Sequence, residues 1–410
     1  MIAEIIGVGT ELLLGQIANT NAQRLSAALA GIGVDVFYHT AVGDNLARMT
    51  EVIGRAAGRS DVVIITGGLG PTPDDITRDA VSAALAVPLV RREDLARDLR
   101  AFFERRGRTM PETNLRQTDL PEGAVAIAPE GTAPGFYLVT GGALVIALPG
   151  VPWEMVQMLD KVVLPLLRTH SGEVTISREV LVAGLGESHT HDRIADLVAA
   201  QTNPTIAYLA GYGLVRVRIT AKSADEDDAL ALIAPLEAEI RERLGRHAVL
   251  GRGRTLAEVL GNLLRTRSAT VAVAESLTGG LLGAALTEEA GASDYFAGAA
   301  VAYATEAKGS VLGVDAGLLA DPGPVSEEVA GQMAEGAARL FGADLGLATT
   351  GVAGPAEQNG RPVGTIFVAA SWRGVKEARH VRGYGDRDSM RGIAVNSALD
   401  LGRLTVQANP

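Results

Sequence analysis

The residues with the clearest chemical promise lie two thirds of the way along the chain. Val271-Ala-Val-Ala-Glu-Ser-Leu-Thr-Gly-Gly280 reads as a buried strand running into a polar, glycine-rich loop, with a helix over Leu281–Leu286 beyond it. A serine on such a strand-to-helix turn is presented at a sheet edge. Ser276 can therefore act as a nucleophile, with the amides of Thr278, Gly279 and Gly280 receiving an oxyanion. The same residues also suit plain helix capping by Ser276 or Thr278. A serine nucleophile needs a base, and His380, the one histidine of this half, has no obvious acid to orient it. Lysine is scarce: only Lys161, Lys222, Lys308 and Lys376 stand among 37 basic residues. Burial lowers a lysine's pKa and makes the amine a base, so Lys308, close behind Tyr303, is the candidate. Its other reading is a surface helix lysine paired with Glu306 or Asp315. Thr349-Thr-Gly-Val-Ala-Gly-Pro355 ends a further apolar run and would bring Thr350 and Gly351 to the same edge.

A second constellation lies near the start. Asp61-Val-Val-Ile-Ile-Thr-Gly-Gly-Leu-Gly-Pro-Thr-Pro-Asp-Asp-Ile-Thr77 reads as a buried strand, a glycine loop and a helix start. Thr66, Gly67, Gly68 and Gly70 would let backbone approach a ligand, and amides near a helix N-terminus cradle phosphate. The loop matches neither the dinucleotide fingerprint nor the P-loop. Asp74 and Asp75 have two readings. In one, Thr72 caps a helix that begins at Pro73, and Asp75 completes the capping box. In the other, the paired carboxylates hold a divalent cation beside the phosphate cradle. Thr10 and Glu11, Asn19 and Asn21, and Asp44 would line the same edge, with Gly131-Thr-Ala-Pro-Gly135 and Pro149-Gly-Val-Pro152 as rigid loops.

The elements that must position these residues follow from periodicity. Strands alternate with helices over residues 1–170: strands at Ala3–Val8, Val34–Val42, Asp61–Thr66 and Leu144–Leu148, helices at Asn19–Ala30 and Asn45–Gly58, and a closing helix at Trp153–Arg168. Residues 171–250 read as a small α+β module, with strands at Val174–Val182 and Tyr212–Ala221 and a helix over Asp225–Leu244. That helix is acid-rich at its start and basic at its end, as its dipole favours. Gly251-Arg-Gly-Arg254 reads as a linker. Residues 255–410 alternate again, with strands near Ala269–Ala274, Phe296–Thr305, Leu345–Thr350 and Gly364–Ser371. The fold class expected is α/β: two doubly wound domains joined by the α+β module.

Composition narrows the function. The 410 residues contain no cysteine, which removes disulfides, thiolate metal sites and cysteine nucleophiles. A net charge of −11 and 4% aromatic residues argue against a nucleic-acid partner. The middle module also lacks a basic Gly-x-x-Gly clamp, since Gly184-Leu-Gly-Glu-Ser188 is acidic. No apolar run spans a membrane and Met1-Ile-Ala-Glu4 carries no leader signature, so a soluble cytoplasmic protein is expected.

Five ordered motifs resemble the CinA family, the bacterial competence/damage-inducible proteins. They are Ile5-Gly-Val-Gly-Thr-Glu-Leu-Leu-Leu-Gly15, Thr66-Gly-Gly-Leu-Gly-Pro-Thr-Pro-Asp-Asp75, Gly131-Thr-Ala-Pro-Gly135, Ala274-Glu-Ser-Leu-Thr-Gly-Gly280 and Gly351-Val-Ala-Gly-Pro355. The resemblance covers essentially the whole chain. It implies an N-terminal domain like the molybdopterin-binding folds, with ADP-ribose pyrophosphatase activity that depends on a divalent metal (magnesium, manganese or cobalt) and is helped by potassium. Asp75 and Asp44 match catalytic aspartates of those relatives. It implies a KH-like middle module and a C-terminal nicotinamide mononucleotide (NMN) deamidase that needs no cofactor. There Ser276, Lys308 and Thr350 match catalytic positions, and Tyr303 with Arg387 or Arg391 match substrate contacts. The partners implied are NMN, ADP-ribose and a second copy of the chain. Two other classes remain: a molybdopterin- or adenylate-handling N-terminal domain, and a non-enzymatic adaptor in competence or DNA repair.

Overall fold

The computed structural model describes residues 1–168, 174–249 and 255–409; the expected linker Gly251–Arg254 lies outside them. Contacts divide the chain into two compact units, Met1–Ser177 with Thr220–Leu232, and Arg178–Ile219 with Ile233–Pro410.

In the first unit the apolar runs form β1 (Ile2–Val8), β2 (Asp35–Val42) and β3 (Val62–Thr66). Short strands β4 (Leu89–Arg91) and β5 (Asp119–Pro121) pair as a ribbon apart from the main sheet. They are followed by β6 (Val125–Ile127), β7 (Gly135–Thr140) and β8 (Ala143–Leu148). The main sheet runs β2-β1-β3-β8-β7-β6. Its first four strands are parallel, while β7 and β6 are antiparallel. Val62–Thr66 is buried throughout, because helices cover both faces of a parallel sheet. Two cores result. One packs Met49, Ile53 and Val81 against Ile65 and Val145; the other packs Leu25, Leu29 and Met155 against Ile5 and Ile64. The closing helix is not continuous. Pro152–Met158 passes through a π segment, Leu159–Val163, into Leu164–Arg168. Pro165 has no amide for the i→i−4 ladder, which accounts for the break.

The middle segment folds as β9 (Val174–Ala183), β10 (Thr205–Gly211) and β11 (Leu214–Ser223) in the order β10-β11-β9. The strand expected from Tyr212 begins two residues later. Tyr212 and Gly213 both take positive φ, 51° and 75°, and make the tight hairpin turn instead. Helix Glu226–Leu244 carries Glu226, Asp227 and Asp228 in its first turn and Arg241 and Arg243 in its last.

The C-terminal sheet contains β12 (Val271–Glu275), β13 (Phe296–Val301), β14 (Leu345–Gly351), β15 (Thr365–Trp372) and β16 (Val375–Arg382), in the order β13-β12-β14-β15-β16. The first three are parallel and the last two antiparallel. The run expected as one strand to Thr305 ends at Val301, and helix Thr305–Leu312 starts there. Helices Leu256–Thr266 and Arg387–Ala408 cover one face, and Glu327–Phe341 covers the other. Each sheet has its first parallel strand in the middle, so the next two strands leave it in opposite directions. Ligands bind at the carboxyl end of such a switch point. Among the described residues no helix is long and apolar enough to cross a membrane.

Candidate active sites at two sheet edges

At the C-terminal edge the register aligns Glu275 with Val301 and with Thr349, so Ser276 leaves β12 between two neighbouring strand ends. Its amide donates to the Thr349 carbonyl at 3.0 Å. Lys308, on helix Thr305–Leu312, projects to this point, and its Nζ donates to Ser276 Oγ at 3.0 Å. Both residues are buried, with 8% and 3% of their surface exposed. Burial drives the Lys308 pKa down to about 8 from an ordinary 10.5. The surface reading of Lys308 is thereby excluded, and Asp315 instead caps helix Ala316–Ala320.

A pocket of about 170 Å³ opens over this pair, walled by Tyr303, Val325, the Gly351–Gly354 backbone, Gln358 and Arg387. Arg387 bridges its mouth, donating to the Gly354 carbonyl at 2.7 Å and to the Tyr303 hydroxyl at 2.8 Å. Tyr303 is 58% exposed, so the pair faces arriving solute.

The other expected residues are close by but differently employed. Gly279 donates to the Ser276 carbonyl and Gly280 to Glu275, so neither amide is free for an oxyanion. Thr278 shares a buried hydroxyl bond with Thr349 at 2.8 Å, and its carbonyl accepts from Arg391 at 2.7 Å. Thr350 turns its hydroxyl to the Pro324 carbonyl at 2.8 Å. Thr278, Thr350 and Arg391 thus brace the loops, whereas Ser276, Lys308, Tyr303, Gly351 and Arg387 line the pocket. Ser276 and Thr278 do not cap the helix either: Gly280, which has no side chain to cap with, stands at its N-cap.

Sequence reasoning missed Glu275. It is completely buried, and its carboxylate accepts the amides of Gly280, Leu282 and Gly283 at 2.8–3.0 Å. A carboxylate on three amides at a helix start is well stabilised despite burial. It pins the serine loop from the residue next to Ser276. The available signal was an acid inside an otherwise apolar strand.

The N-terminal edge gathers its expected residues too, but satisfies them internally. Asp44 Oδ2 accepts the Thr10 amide at 3.0 Å and the Thr10 hydroxyl at 2.8 Å. Asn21 donates to Thr66 Oγ1 at 3.0 Å and to the Gly150 carbonyl at 2.8 Å, and Thr66 Oγ1 donates to the Pro149 carbonyl. The capping reading of Asp74 and Asp75 needs correction. The helix begins at Thr77, not Pro73, so no capping box forms. Asp75 Oδ2 instead accepts the Thr72 amide at 2.9 Å and its hydroxyl, closing a local turn. A hydrogen bond from Thr72 also holds the Asp74 carboxyl below the usual carboxylate range. Both carboxylates fold back on Thr72 rather than standing as a free pair.

The glycines are needed for packing as well. A Cβ on Gly67 would lie 2.4 Å from the Val8 carbonyl, one on Gly68 2.4 Å from Thr77 Oγ1, and one on Gly70 2.3 Å from Asp75 Oδ2. Gly9 likewise leaves room for the Glu11 carboxylate. Arg78, unremarked in the sequence, is the buried bolt of this loop. Its guanidinium donates to the Leu69 and Gly70 carbonyls at 2.8 Å each, and burial lowers its pKa to about 10. Among the described residues no group of three or more His, Asp or Glu side chains gathers as a metal cage.

Comparison with known proteins now adds the family. The CinA C-terminal domain description matches residues 253–406, the damage-inducible protein CinA KH domain residues 177–249, and a probable molybdopterin binding domain residues 4–169. A CinA-like protein of Frankia casuarinae is 46% identical over 421 residues, covering 100% of this chain and 97% of that one. The chain belongs to the CinA family. A second CinA-like protein, from Dictyoglomus turgidum, is 42% identical over 406 residues and 98% of each chain. Among solved structures, a CinA protein of unknown function from Thermoplasma acidophilum is 34% identical, with a TM-score of 0.37 over 39% of this chain and 94% of that one.

Proposed function

We propose that the C-terminal domain of this CinA family member is an amidohydrolase that converts NMN to nicotinate mononucleotide and ammonia through a Ser276 acyl-enzyme. The observation that carries this reading is the buried Lys308–Ser276 pair at 3.0 Å, in which desolvation favours the neutral amine. Neutral Lys308 takes the hydroxyl proton as Ser276 Oγ bonds to the carboxamide carbon. The carbon–nitrogen bond then breaks, and ammonia leaves with the proton returned by Lys308. Water, deprotonated by the same amine, cleaves the ester and releases the carboxylate. The pocket fits the flat amide ring, and the Arg387–Tyr303 pair at its mouth suits the phosphorylated end. No cofactor enters this scheme. The test is ammonia release from NMN by the EDTA-treated full chain. Release that Ser276→Ala abolishes supports the reading; release that survives in that variant rejects it.

For the N-terminal domain we propose ADP-ribose pyrophosphatase activity at the β1/β3 edge, with a divalent cation and potassium as activators. Asp44 and Asp75 each use Oδ2 internally and retain Oδ1, while Asn21 Oδ1 is buried without a donor among the described residues. Hard oxygens of this kind suit such cations. Asp74 and Asp75 would hold the divalent ion, which when bound polarises the diphosphate and lowers the pKa of water. The matched description, a probable molybdopterin binding domain, favours a second reading, a phosphorylated pterin at the same edge. Metal-dependent ADP-ribose cleavage that Asp75→Asn removes would decide for the hydrolase. Tight pterin binding without cleavage would decide for the other. A homodimer working in the cytoplasm on small nucleotides completes the proposal.

A further inference from the structure

Ser276 and Lys308 supply a nucleophile and a base, but an attacked amide carbonyl also gains a negative oxygen that donors must receive. Gly279 and Gly280, the donors expected from the sequence, bond within their own loop.

Two other backbone amides on the pocket wall are uncommitted. The first is that of Leu277. The Ser276 carbonyl accepts from Gly279 at 3.1 Å, and across a trans peptide the following N–H points the opposite way. The Leu277 amide is thereby turned out of the loop, and it has no acceptor among the described residues.

The second is that of Ala353. Val352 bonds towards β15 through both of its backbone groups. Its N–H donates to the Thr365 carbonyl and its carbonyl accepts from Gly364, each at 2.8 Å. By the same peptide geometry the Ala353 N–H points away from β15. Because β14 lies between β15 and β12, that direction leads to the end of β12, where Ser276 stands. This amide too has no acceptor among the described residues. Leu277 and Ala353 are 4% and 7% exposed, and both line the pocket over Ser276. Backbone amides in residues so buried are nearly always paired, so two unpaired ones on one pocket wall mark a place for an acceptor oxygen. Lys308 comes from the other flank. Its helix, Thr305–Leu312, follows β13, which borders β12 on the side away from β14.

We propose that the N–H groups of Leu277 and Ala353 form the oxyanion hole of this site and so fix how a carboxamide enters it. The inference rests on the Ser276 acyl-enzyme reading. As Oγ bonds to the carboxamide carbon, the carbonyl π pair moves onto oxygen, which accepts from both amides, while Lys308 holds the serine proton. The pair then returns, the carbon–nitrogen bond breaks, and the nitrogen leaves as ammonia with the proton from Lys308. The substrate oxygen therefore lies on the β14 flank and its amino group on the Lys308 flank.

The test replaces the Leu277 amide, and separately the Ala353 amide, by a backbone ester in the full chain, which removes one N–H and keeps each side chain. Ammonia release from NMN should fall about 100-fold in kcat for each ester, with KM nearly unchanged. Esters that keep the parent kcat overturn the hole and leave the acyl-enzyme reading standing. A second measurement needs neither turnover nor an ester. Pyridine-3-boronic acid becomes tetrahedral and anionic on bonding to a serine Oγ, and the amide protons of Leu277 and Ala353 should then move downfield in NMR spectra, with both shifts lost in Ser276→Ala. If the parent does not hydrolyse NMN, that reading fails and the boronate alone decides: shifts at both amides support the hole. A Ser276 adduct without them, or no adduct, overturns it.

Discussion

The two sheet edges share one construction and differ in what they leave unsatisfied. Each places a polar loop after the middle strand of a parallel trio, β1 in one and β12 in the other. At the C-terminal edge the loop begins at a buried serine facing a buried lysine, with no carboxylate neutralising either through a hydrogen bond or ion pair among the described residues. At the N-terminal edge every expected aspartate already accepts from a threonine in its own neighbourhood. Topology therefore says where a ligand goes. Chemistry resides where burial strips a reactive group of its usual partners.

That contrast can be broken most sharply at Ser276. Ser276→Ala should lower NMN hydrolysis by ~1,000-fold or more, as loss of a nucleophile does, read as ammonia release. Lys308→Met should cost nearly as much and also change the pH behaviour. The active amine is the neutral one, so kcat/KM in the parent should rise with pH and level off above about 8. Stability carries the same signature. Between about pH 8 and the ordinary lysine value of 10.5 the unfolded chain holds a proton that the native chain has lost. Unfolding free energy should therefore climb across that window in the parent and stay flat for Lys308→Met.

Next in size comes Glu275→Gln. Its amide nitrogen would face backbone N–H groups, so the loop should loosen: kcat falls by roughly 100-fold with little change in KM, and melting temperature drops. A KM effect alone would show that the loop contacts substrate rather than being held by Glu275. At the N-terminal edge, Asp75→Asn keeps the shape of the Thr72 turn while removing charge. Cation-stimulated ADP-ribose cleavage should fall by about 10- to 100-fold with little loss of stability. The smallest effect is expected for Arg387→Ala, a rise of about tenfold in KM for NMN with kcat nearly kept, since this side chain stands at the mouth.

Much of this was legible in the residues. Continuous apolar runs gave β1, β3, β12 and β14, and the charge gradient gave the helix expected over Asp225–Leu244, found as Glu226–Leu244. Lysine scarcity singled out Lys308, because a rare residue type in an arginine-rich chain needs its own reason. The reversed strands β7 and β15 were not separable from parallel ones, since direction leaves no mark on composition. The helix start near Asp74 was misplaced because a Thr-Pro-Asp-Asp run satisfies both a capping box and a closed turn. Glu275 and Arg78 were invisible as loop-holding groups, since a charged residue's burial depends on what the rest of the chain lays over it.

The sequence by itself determined the α/β alternation, the glycine loops, the absence of cysteine chemistry and the short list of groups able to react. Those are properties of residue type and local order. Tertiary structure decided which members of that list meet. It put Lys308 on Ser276 across 32 positions of chain, turned Thr278 and Thr350 into braces, and closed the aspartates of the first domain onto their own loops. The physical reason is desolvation. Whether a side chain is a base, a brace or a solvated charge is set by the partners and the water left around it, and only the folded chain fixes both.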